Sequence, residues 1–149
     1  MIDPLYQKEI LRLAAEAAGA GRLDAPDASA SVRNPLCGDQ ITLDLKLEDG
    51  RITALAHHTR ACVLCQASAA LLSTTALGRS MAECREAAES LRKFLAGDAG
   101  ALDPDIASYE VFAPVVPHTT RHTCVMLPFM ALDQALTGLA AGTPARPGA

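Results

Sequence analysis

The chain has 149 residues, a formal net charge of −4 and 3% aromatic residues, while 50% of its residues are hydrophobic. This length fits one domain with a real hydrophobic core. The mild acidity, without a basic stripe interleaved with aromatic residues, argues against nucleic acid as a partner. No apolar run approaches the length of a membrane span.

The N-terminus carries Asp3, Lys8 and Glu9 before any long apolar stretch, so it is not typical of a signal peptide. We therefore expect a cytoplasmic protein, in which thiols stay reduced. The chain has five cysteines, and these cannot all pair with one another. Metal binding or thiol chemistry explains them better than a disulfide framework does.

The first predicted element is a helix over residues 4–18, because Asp3 suits the N-cap and Pro4 the first helical position. Gly19 and Gly21 are expected to end this helix. The next segment, residues 22–36, is rich in Asp, Ser and Pro and is predicted to be a loop.

A strand hairpin is predicted next. Apolar and polar residues alternate from Ile41 to Leu47, which indicates a half-buried strand. Glu48-Asp49-Gly50 is a hairpin turn signal, after which a second strand returns antiparallel from Arg51 to about residue 57. A short third strand is expected over residues 58–61.

Two helices follow the strands. The first is predicted over residues 62–77 and closed by Gly78. The second begins at the capping box Ser80-Met81-Ala82-Glu83, buries Cys84 on its apolar face and stops at Gly97.

The segment 97–120 contains three prolines and is predicted to be a long irregular insertion with room for one helical turn. Such segments are often functional. The last helix is expected to begin near Cys124, with Thr123 as its cap, because Pro128 is tolerated only in a first turn.

The candidate chemistry centres on the loop Asn34-Pro35-Leu36-Cys37-Gly38-Asp39. It presents a thiol and a carboxylate one residue apart, and so offers a metal one soft and one hard ligand. Cys62 and Cys124 lie at predicted helix N-termini, where the helix dipole favours thiolates. We therefore expect Cys37, Asp39, Cys62 and Cys124 to converge on one metal or cluster.

Four such ligands suit either a tetrahedral zinc site or one edge of an iron–sulfur cluster, and the pattern does not choose between them. The alternative is that these are separate buried cysteines, each packed as a small hydrophobic residue. For a thiol beside Gly38-Asp39 in a polar loop, the metal site is the better explanation.

Cys65 follows Cys62 by three residues, so both face the same side of the first helical turn. It suits a spare ligand, a resolving thiol or a packed core residue, whereas Cys84 is interpreted as core. Arg121 precedes Cys124 by three residues and suits a thiolate contact, a partner contact or a solvated charge.

Four histidines complete the candidates. His122 lies two residues before the last of the predicted thiol ligands, close enough to take part in its chemistry. The other three, His57, His58 and His118, are expected at the surface or at strand ends.

The chain resembles the U-type iron–sulfur cluster assembly scaffold family, which includes IscU, the NifU N-terminal domain and SufU. The resemblance runs from the first helix to about Leu136. It is carried by three segments: Asn34-Pro35-Leu36-Cys37-Gly38-Asp39, Ala61-Cys62-Val63-Leu64-Cys65-Gln66-Ala67-Ser68-Ala69, and Arg121-His122-Thr123-Cys124-Val125-Met126-Leu127-Pro128.

Within the family the chain is most similar to the SufU branch. The proline-containing insertion and Arg121 are typical of that branch, whereas the IscU branch has a histidine where this chain has Thr123. The chain departs from the usual pattern at Ala61, where the family has glycine, and at Cys65, where it has serine. Residues 14–22 also match poorly, in a stretch associated with partner docking.

The resemblance implies that Cys37, Asp39, Cys62 and Cys124 are the ligands of a transient [2Fe-2S] cluster or of Zn²⁺. It also implies a cysteine desulfurase as partner, with Cys124 as the persulfide acceptor assisted by Asp39 and Arg121. Apo-proteins or carrier proteins would receive the cluster.

Three functions remain open. The chain is a cluster assembly scaffold, or a zinc-dependent sulfurtransferase partner that stimulates a cysteine desulfurase, or a domain whose zinc is purely structural. The scaffold is favoured over a true enzyme. The carboxylate speaks against a closed structural site, because such sites favour Cys and His.

The expected fold is α+β, a small antiparallel sheet of about three strands with helices packed on one face, similar to SufE and NifU-type proteins. Residues 1–141 are expected to form a single U-type scaffold domain. Residues 142–149, rich in Pro and Gly, are expected to be a disordered tail.

Overall fold

A computed structural model of the chain describes residues 7–35 and 38–140. The predicted Asp3-Pro4 cap, Cys37 and the tail 142–149 lie outside the described residues. The elements in chain order are α1 (Lys8–Glu16), β1 (Ala28–Arg33), β2 (Gln40–Glu48), β3 (Arg51–Arg60), α2 (Val63–Thr75), α3 (Met81–Leu95), a 3₁₀ helix (Pro104–Val115), a 3₁₀ turn (Thr119–Arg121) and α4 (His122–Ala140).

The described strands form one antiparallel sheet in the order β1-β2-β3. Helix α4 packs against β1 and β2, and α2 packs against β3. The opposite face is polar: Ser31 and Thr42 face each other across the strands and share a hydrogen bond of 2.8 Å between their exposed hydroxyls. The predicted α+β fold, with helices on one face of a small sheet, is confirmed.

The β2–β3 hairpin forms where the turn signal predicted it. Asp49 and Gly50 both adopt positive φ, at 52° and 76°. Two such residues in sequence match the twist of the flanking strands, which is why Asp-Gly is favoured there.

Two strand predictions were wrong. The segment 22–36 is not all loop, because β1 lies within it and pairs with β2 from Ala28 opposite Leu45 to Arg33 opposite Gln40. There is also no separate third strand over residues 58–61 in the described chain, because β3 continues without a break to Arg60.

The start of the last helix was also predicted wrongly. Helix α4 begins at His122, so Thr123 is a helical residue rather than a cap and Pro128 lies in the second turn. A 3₁₀ turn leads directly into α4, which explains the earlier start. The hydroxyl of Ser68 donates a hydrogen bond of 2.6 Å to the Val125 carbonyl, so α2 holds this part of α4.

The connection after α1 is more ordered than the two glycines suggested. Ala17 ends the helix in the left-handed conformation, at φ 48°. Gly19 and Gly21 then run along β3, where the Gly19 carbonyl accepts from the His57 N–H and the Gly21 N–H donates to the His57 carbonyl. The segment thus extends the sheet by one parallel bridge.

Helices α2 and α3 formed as predicted, including the capping box in which Ser80 and Glu83 bond each other's main chain. The segment 97–120 is more helical than expected. Its 3₁₀ helix buries four side chains. The ring centroid of Tyr109 lies 5.9 Å from that of Phe112 and 5.5 Å from that of Phe129. The insertion therefore supplies much of the aromatic core of a chain that is poor in aromatic residues.

Candidate metal centre

Three of the predicted ligands meet at one end of the sheet. Donor atoms of Asp39, Cys62 and Cys124 all lie within 4.8 Å of one another. Asp39 is in the loop before β2, Cys62 is the N-cap of α2 and Cys124 is in the first turn of α4. Asp39 and Cys124 are far apart in the sequence, and the fold brings them together.

The hairpin register explains how Asp39 reaches Cys62. Gln40 pairs with Arg60, so the residue before β2 and the residues after β3 lie side by side. Asp39 is tied to the end of β1, because the Asn34 N–H donates to the Asp39 carbonyl at 2.7 Å and the Gly38 N–H to the Asn34 carbonyl at 2.8 Å. These bonds hold Asp39 at the sheet end.

The two oxygens of Asp39 have different surroundings. Its Oδ1 accepts a hydrogen bond of 3.2 Å from the Cys62 main-chain N–H. Its Oδ2 is buried and has no hydrogen-bond partner among the residues that the structure describes. A buried carboxylate oxygen without a donor is costly, and a metal ion beside the two thiols is one way to satisfy it. The donor set therefore fits a bound metal.

The two thiols differ in exposure, and their sulfurs lie within 4.8 Å of each other. Cys124 is 1% exposed and Cys62 is partly exposed. The pKa of Cys62 lies below its usual value, chiefly because the Cys124 thiol donates a hydrogen bond to its sulfur. Burial and the nearby Asp39 act in the opposite direction, while the Cys65 main-chain N–H adds a second donor. Metals bind thiolates, so this arrangement favours the form that binds.

The fourth predicted ligand, Cys37, lies outside the described residues. Its neighbour Gly38 adopts φ 76°, a conformation that favours glycine, and no described atom lies within 4 Å of the position that a Cβ would take there. The glycine is thus required by backbone conformation rather than by close packing.

Two further cysteines and one arginine were also candidates, and neither cysteine belongs to the described donor group. Cys65 is fully buried in the third helical position of α2 and is not part of the described donor group. Arg121 ends the 3₁₀ turn, partly buried, three residues before Cys124. Cys84 is 4% exposed in the core, as predicted, and burial raises the pKa of its thiol to about 11.

The histidines divide differently from the prediction. His58 and His118 are exposed as expected, but His57 is buried. Its Nε2 lies 2.8 Å from the Ala18 carbonyl, and burial lowers the pKa of its ring. His122 directs its Nε2 to the carbonyls at the end of the long 3₁₀ helix, at 3.2 and 3.0 Å, so it fixes the insertion.

The family of NifU-like N terminal domains matches residues 5–137, which is most of the chain. The chain belongs to this family. The resemblance inferred from the three cysteine-bearing segments is thereby confirmed.

Individual members of the NifU-like family support the match. The chain is 30% identical over 132 residues to the iron-sulfur cluster assembly scaffold protein IscU of Thermotoga maritima, covering 89% of this chain and 92% of that one. The crystal structure of a nitrogen-fixing NifU-like protein (N-terminal) from Brucella abortus superposes with a TM-score of 0.87 at 32% identity, over 93% and 96% of the two chains.

A third similarity concerns the fold alone. The crystal structure of a putative iron-sulfur cluster assembly scaffold protein for the SUF system from Fervidobacterium islandicum AW-1 superposes with a TM-score of 0.77 at 23% identity, covering 89% of this chain and 96% of that chain.

The helices were also compared with the length and hydropathy that a membrane span requires. Among the residues that the structure describes, no helix meets both requirements.

Proposed function

We propose that this chain is an iron–sulfur cluster assembly scaffold, which accepts sulfur from a cysteine desulfurase and builds or transfers a transient [2Fe-2S] cluster. The observation that carries the proposal is the close group of two thiols and one carboxylate, whose Oδ2 has no donor among the described residues. Relatives named as IscU scaffolds support it.

In this proposal Cys37, Asp39, Cys62 and Cys124 bind the cluster, which is the cargo of the protein. Thiolates suit iron, whereas a carboxylate is a harder and more exchangeable ligand. Asp39 also has an alternative partner, since its Oδ1 already accepts from the Cys62 N–H. The mixed donor set therefore allows the cluster to form and also to leave.

Sulfur delivery is assigned to Cys124, as the persulfide acceptor. Its thiol lies beside that of Cys62 and is screened from solvent, which protects a persulfide from oxidants until iron is bound. Arg121, at the end of the 3₁₀ turn that leads into α4, is proposed to steady the anionic sulfur. A guanidinium remains positively charged at any relevant pH.

A second function rests on the compactness of the site. Donor atoms within 4.8 Å of one another suit a single tetrahedral Zn²⁺ as well as one edge of a cluster. In that case the chain is a zinc-dependent sulfurtransferase partner that stimulates a cysteine desulfurase, and one cysteine leaves the zinc to accept sulfur.

The two functions are separated by loading the purified protein in two ways. The first sample is incubated anaerobically with ferrous iron and sulfide, and then mixed with an apo-protein that accepts a [2Fe-2S] cluster. The second is loaded with zinc and added to a cysteine desulfurase.

Transfer of a cluster to the apo-protein, absent in Cys124→Ser and retained in Cys84→Ala, supports the scaffold. No cluster transfer, together with strong stimulation of desulfurase turnover by the zinc form, contradicts the scaffold and supports the sulfurtransferase. A protein that does neither contradicts both.

A further inference from the structure

Cys62 and Cys65 form a C-x-x-C pair at the start of α2, and their positions differ in a way that the cluster-binding role does not explain. Cys62 is the N-cap, with extended backbone at φ −65° and ψ 167°, and is partly exposed. Cys65 is the third residue of the helix and is 0% exposed. An accessible thiol at a helix N-terminus backed by a buried thiol three residues later is the arrangement of dithiol redox pairs.

The two residues occupy neighbouring positions at the start of α2. Cys62 immediately precedes Val63, the first residue of α2, and Cys65 lies in the first turn of that helix. Residues three apart on a helix are neighbours, and the N-cap is free of helical constraint. The two side chains therefore start from neighbouring positions on the first turn, and that of Cys62 is free to turn towards Cys65.

We propose that Cys65 is a resolving thiol that reduces a persulfide on Cys62 and so releases sulfide for the cluster. The inference rests on the proposed function, because it takes the delivered persulfide as its starting point. Sulfur arrives as a persulfide, whose outer sulfur is at the oxidation level of elemental sulfur, whereas a cluster requires sulfide. Two electrons are needed, and a dithiol supplies two on becoming a disulfide.

The chemistry takes two steps. First, the Cys62 thiolate attacks the outer sulfur of the Cys124 persulfide, the sulfur–sulfur bond breaks, and Cys124 leaves as a thiolate. The sulfurs of these two residues lie within 4.8 Å of each other, which places them for this transfer. No net oxidation occurs, and the persulfide is now on Cys62.

Second, the Cys65 sulfur attacks the inner sulfur of Cys62. A Cys62–Cys65 disulfide forms, the bond to the outer sulfur breaks, and that sulfur leaves with two electrons and the Cys65 proton as hydrogen sulfide. Persulfide plus thiol thus gives disulfide plus hydrogen sulfide. An external dithiol reductant then reopens the disulfide, with transfer of two electrons, before Cys62 binds the cluster. Because Cys65 is fully buried, it is shielded from oxidants in solution.

The test uses metal-free protein treated anaerobically with inorganic polysulfide to form the persulfide, after which excess reagent is removed. Free sulfide is then measured in a single turnover without added reductant, and the products are mapped by mass spectrometry. The variants are Cys65→Ser, which replaces only the sulfur atom by oxygen, and Cys84→Ala, which removes a buried thiol elsewhere. Circular dichroism reports whether each is folded.

We expect the wild type and Cys84→Ala to release sulfide stoichiometrically and to contain a Cys62–Cys65 disulfide, recognised by the loss of two hydrogens from one linked peptide. Cys65→Ser should keep its persulfide. Sulfide release by Cys65→Ser at the wild-type rate overturns the proposal. So does a wild type that keeps its persulfide, or one whose disulfide joins Cys62 to Cys124.

A separate measurement keeps this outcome apart from that of the proposed function. When sulfide is supplied directly with ferrous iron, Cys65 is not needed, and Cys65→Ser should assemble a cluster as the wild type does. If the wild type fails to assemble a cluster under those conditions, the scaffold function is wrong, whatever Cys65 does.

Discussion

The main-chain N–H of Cys62 donates a hydrogen bond of 3.2 Å to the Oδ1 of Asp39, while the Oδ2 of the same carboxylate has no partner in the described part of the chain. This relationship fixes the carboxylate beside two thiols and leaves one oxygen available. It also gives Asp39 a protein partner to return to when a metal leaves. The carboxylate is therefore suited to be the exchangeable ligand of the site.

Replacing Asp39 by alanine should make a reconstituted cluster more persistent. The variant lacks the oxygen ligand that exchanges most readily, and the thiolates that remain hold iron more firmly. We expect the half-life of the cluster in the presence of a chelator to increase several-fold, measured by the decay of its visible absorbance. A variant that loses its cluster as fast as the wild type would rule out this role of Asp39.

The buried carboxylate of Asp44 should make the fold sensitive to acid. Its side chain is 0% exposed and accepts hydrogen bonds from Arg22, Ser29 and the Leu23 N–H. Burial alone would raise the pKa of Asp44, but these donors outweigh it and hold the pKa below its usual 3.8. The stabilisation is therefore present above the unfolded-state pKa and is lost as the pH falls through the lower folded-state value.

Asp44→Asn should lower the free energy of unfolding at neutral pH by about 1–3 kcal/mol, since the buried donors lose their charged acceptor. This loss should become smaller as the pH falls below the pKa that the Asp44 carboxyl has in the unfolded chain. Urea unfolding at neutral and acidic pH measures both, with Asp24→Asn, an exposed aspartate nearby, as control. An equal loss at both pH values would contradict the assigned role.

Cys84 should behave as a protected core thiol. Burial is the chief reason that its pKa rises from 9.0 to about 11. A raised folded-state pKa stabilises the fold below the unfolded-state value, and this stabilisation is lost as the pH rises through the folded one. Cys84→Ala should therefore show a flatter decline in unfolding free energy between pH 9 and pH 11.

Alkylation gives an independent measurement of the same thiol. Iodoacetamide should label Cys62 in the folded, metal-free protein and reach Cys84 only on unfolding, because the latter is 4% exposed. Rapid labelling of Cys84 in the native protein would show that the thiol is accessible and would contradict its role as a protected core residue.

Gly19 should tolerate no side chain. A Cβ at this position would lie 2.4 Å from the Cβ of Ser73, and the residue has φ 80°. Gly78 provides a matched control, since it has φ 83° but no described atom within 4 Å of its Cβ position. Gly78→Ala should cost about 1–2 kcal/mol from the left-handed conformation alone. Gly19→Ala should cost about 1–3 kcal/mol more from overpacking, and equal thermal shifts for the two variants would contradict this.

The sequence was most informative where a local pattern decides the structure. Alternation and Asp49-Gly50 predicted the β2–β3 hairpin, and the Ser80–Glu83 capping box predicted the start of α3. Strand β1 was missed because it consists of small residues such as Ala28 and Ala30, which have weak strand propensity and become a strand only by pairing with β2.

The site shows the same division. The thiol and carboxylate of the Cys37–Asp39 loop, and the two thiols at predicted helix starts, predicted that Asp39, Cys62 and Cys124 would meet. What could not be read from the sequence was the hydrogen bonding, because it depends on how the hairpin end lies against two helices. The burial of Asp44 could not be predicted either. It lies among the polar residues of an alternating strand, yet it is fully buried and paired with Arg22.

The most direct test of the central claim is the iron and acid-labile sulfide content of the anaerobically reconstituted protein. Wild type, Cys62→Ser, Cys124→Ser and Cys84→Ala would be compared after identical treatment. We predict equal amounts of iron and sulfide in the wild type and in Cys84→Ala, and their loss from both ligand variants. Iron and sulfide unchanged in Cys62→Ser and Cys124→Ser would contradict the proposed site and the scaffold function built on it.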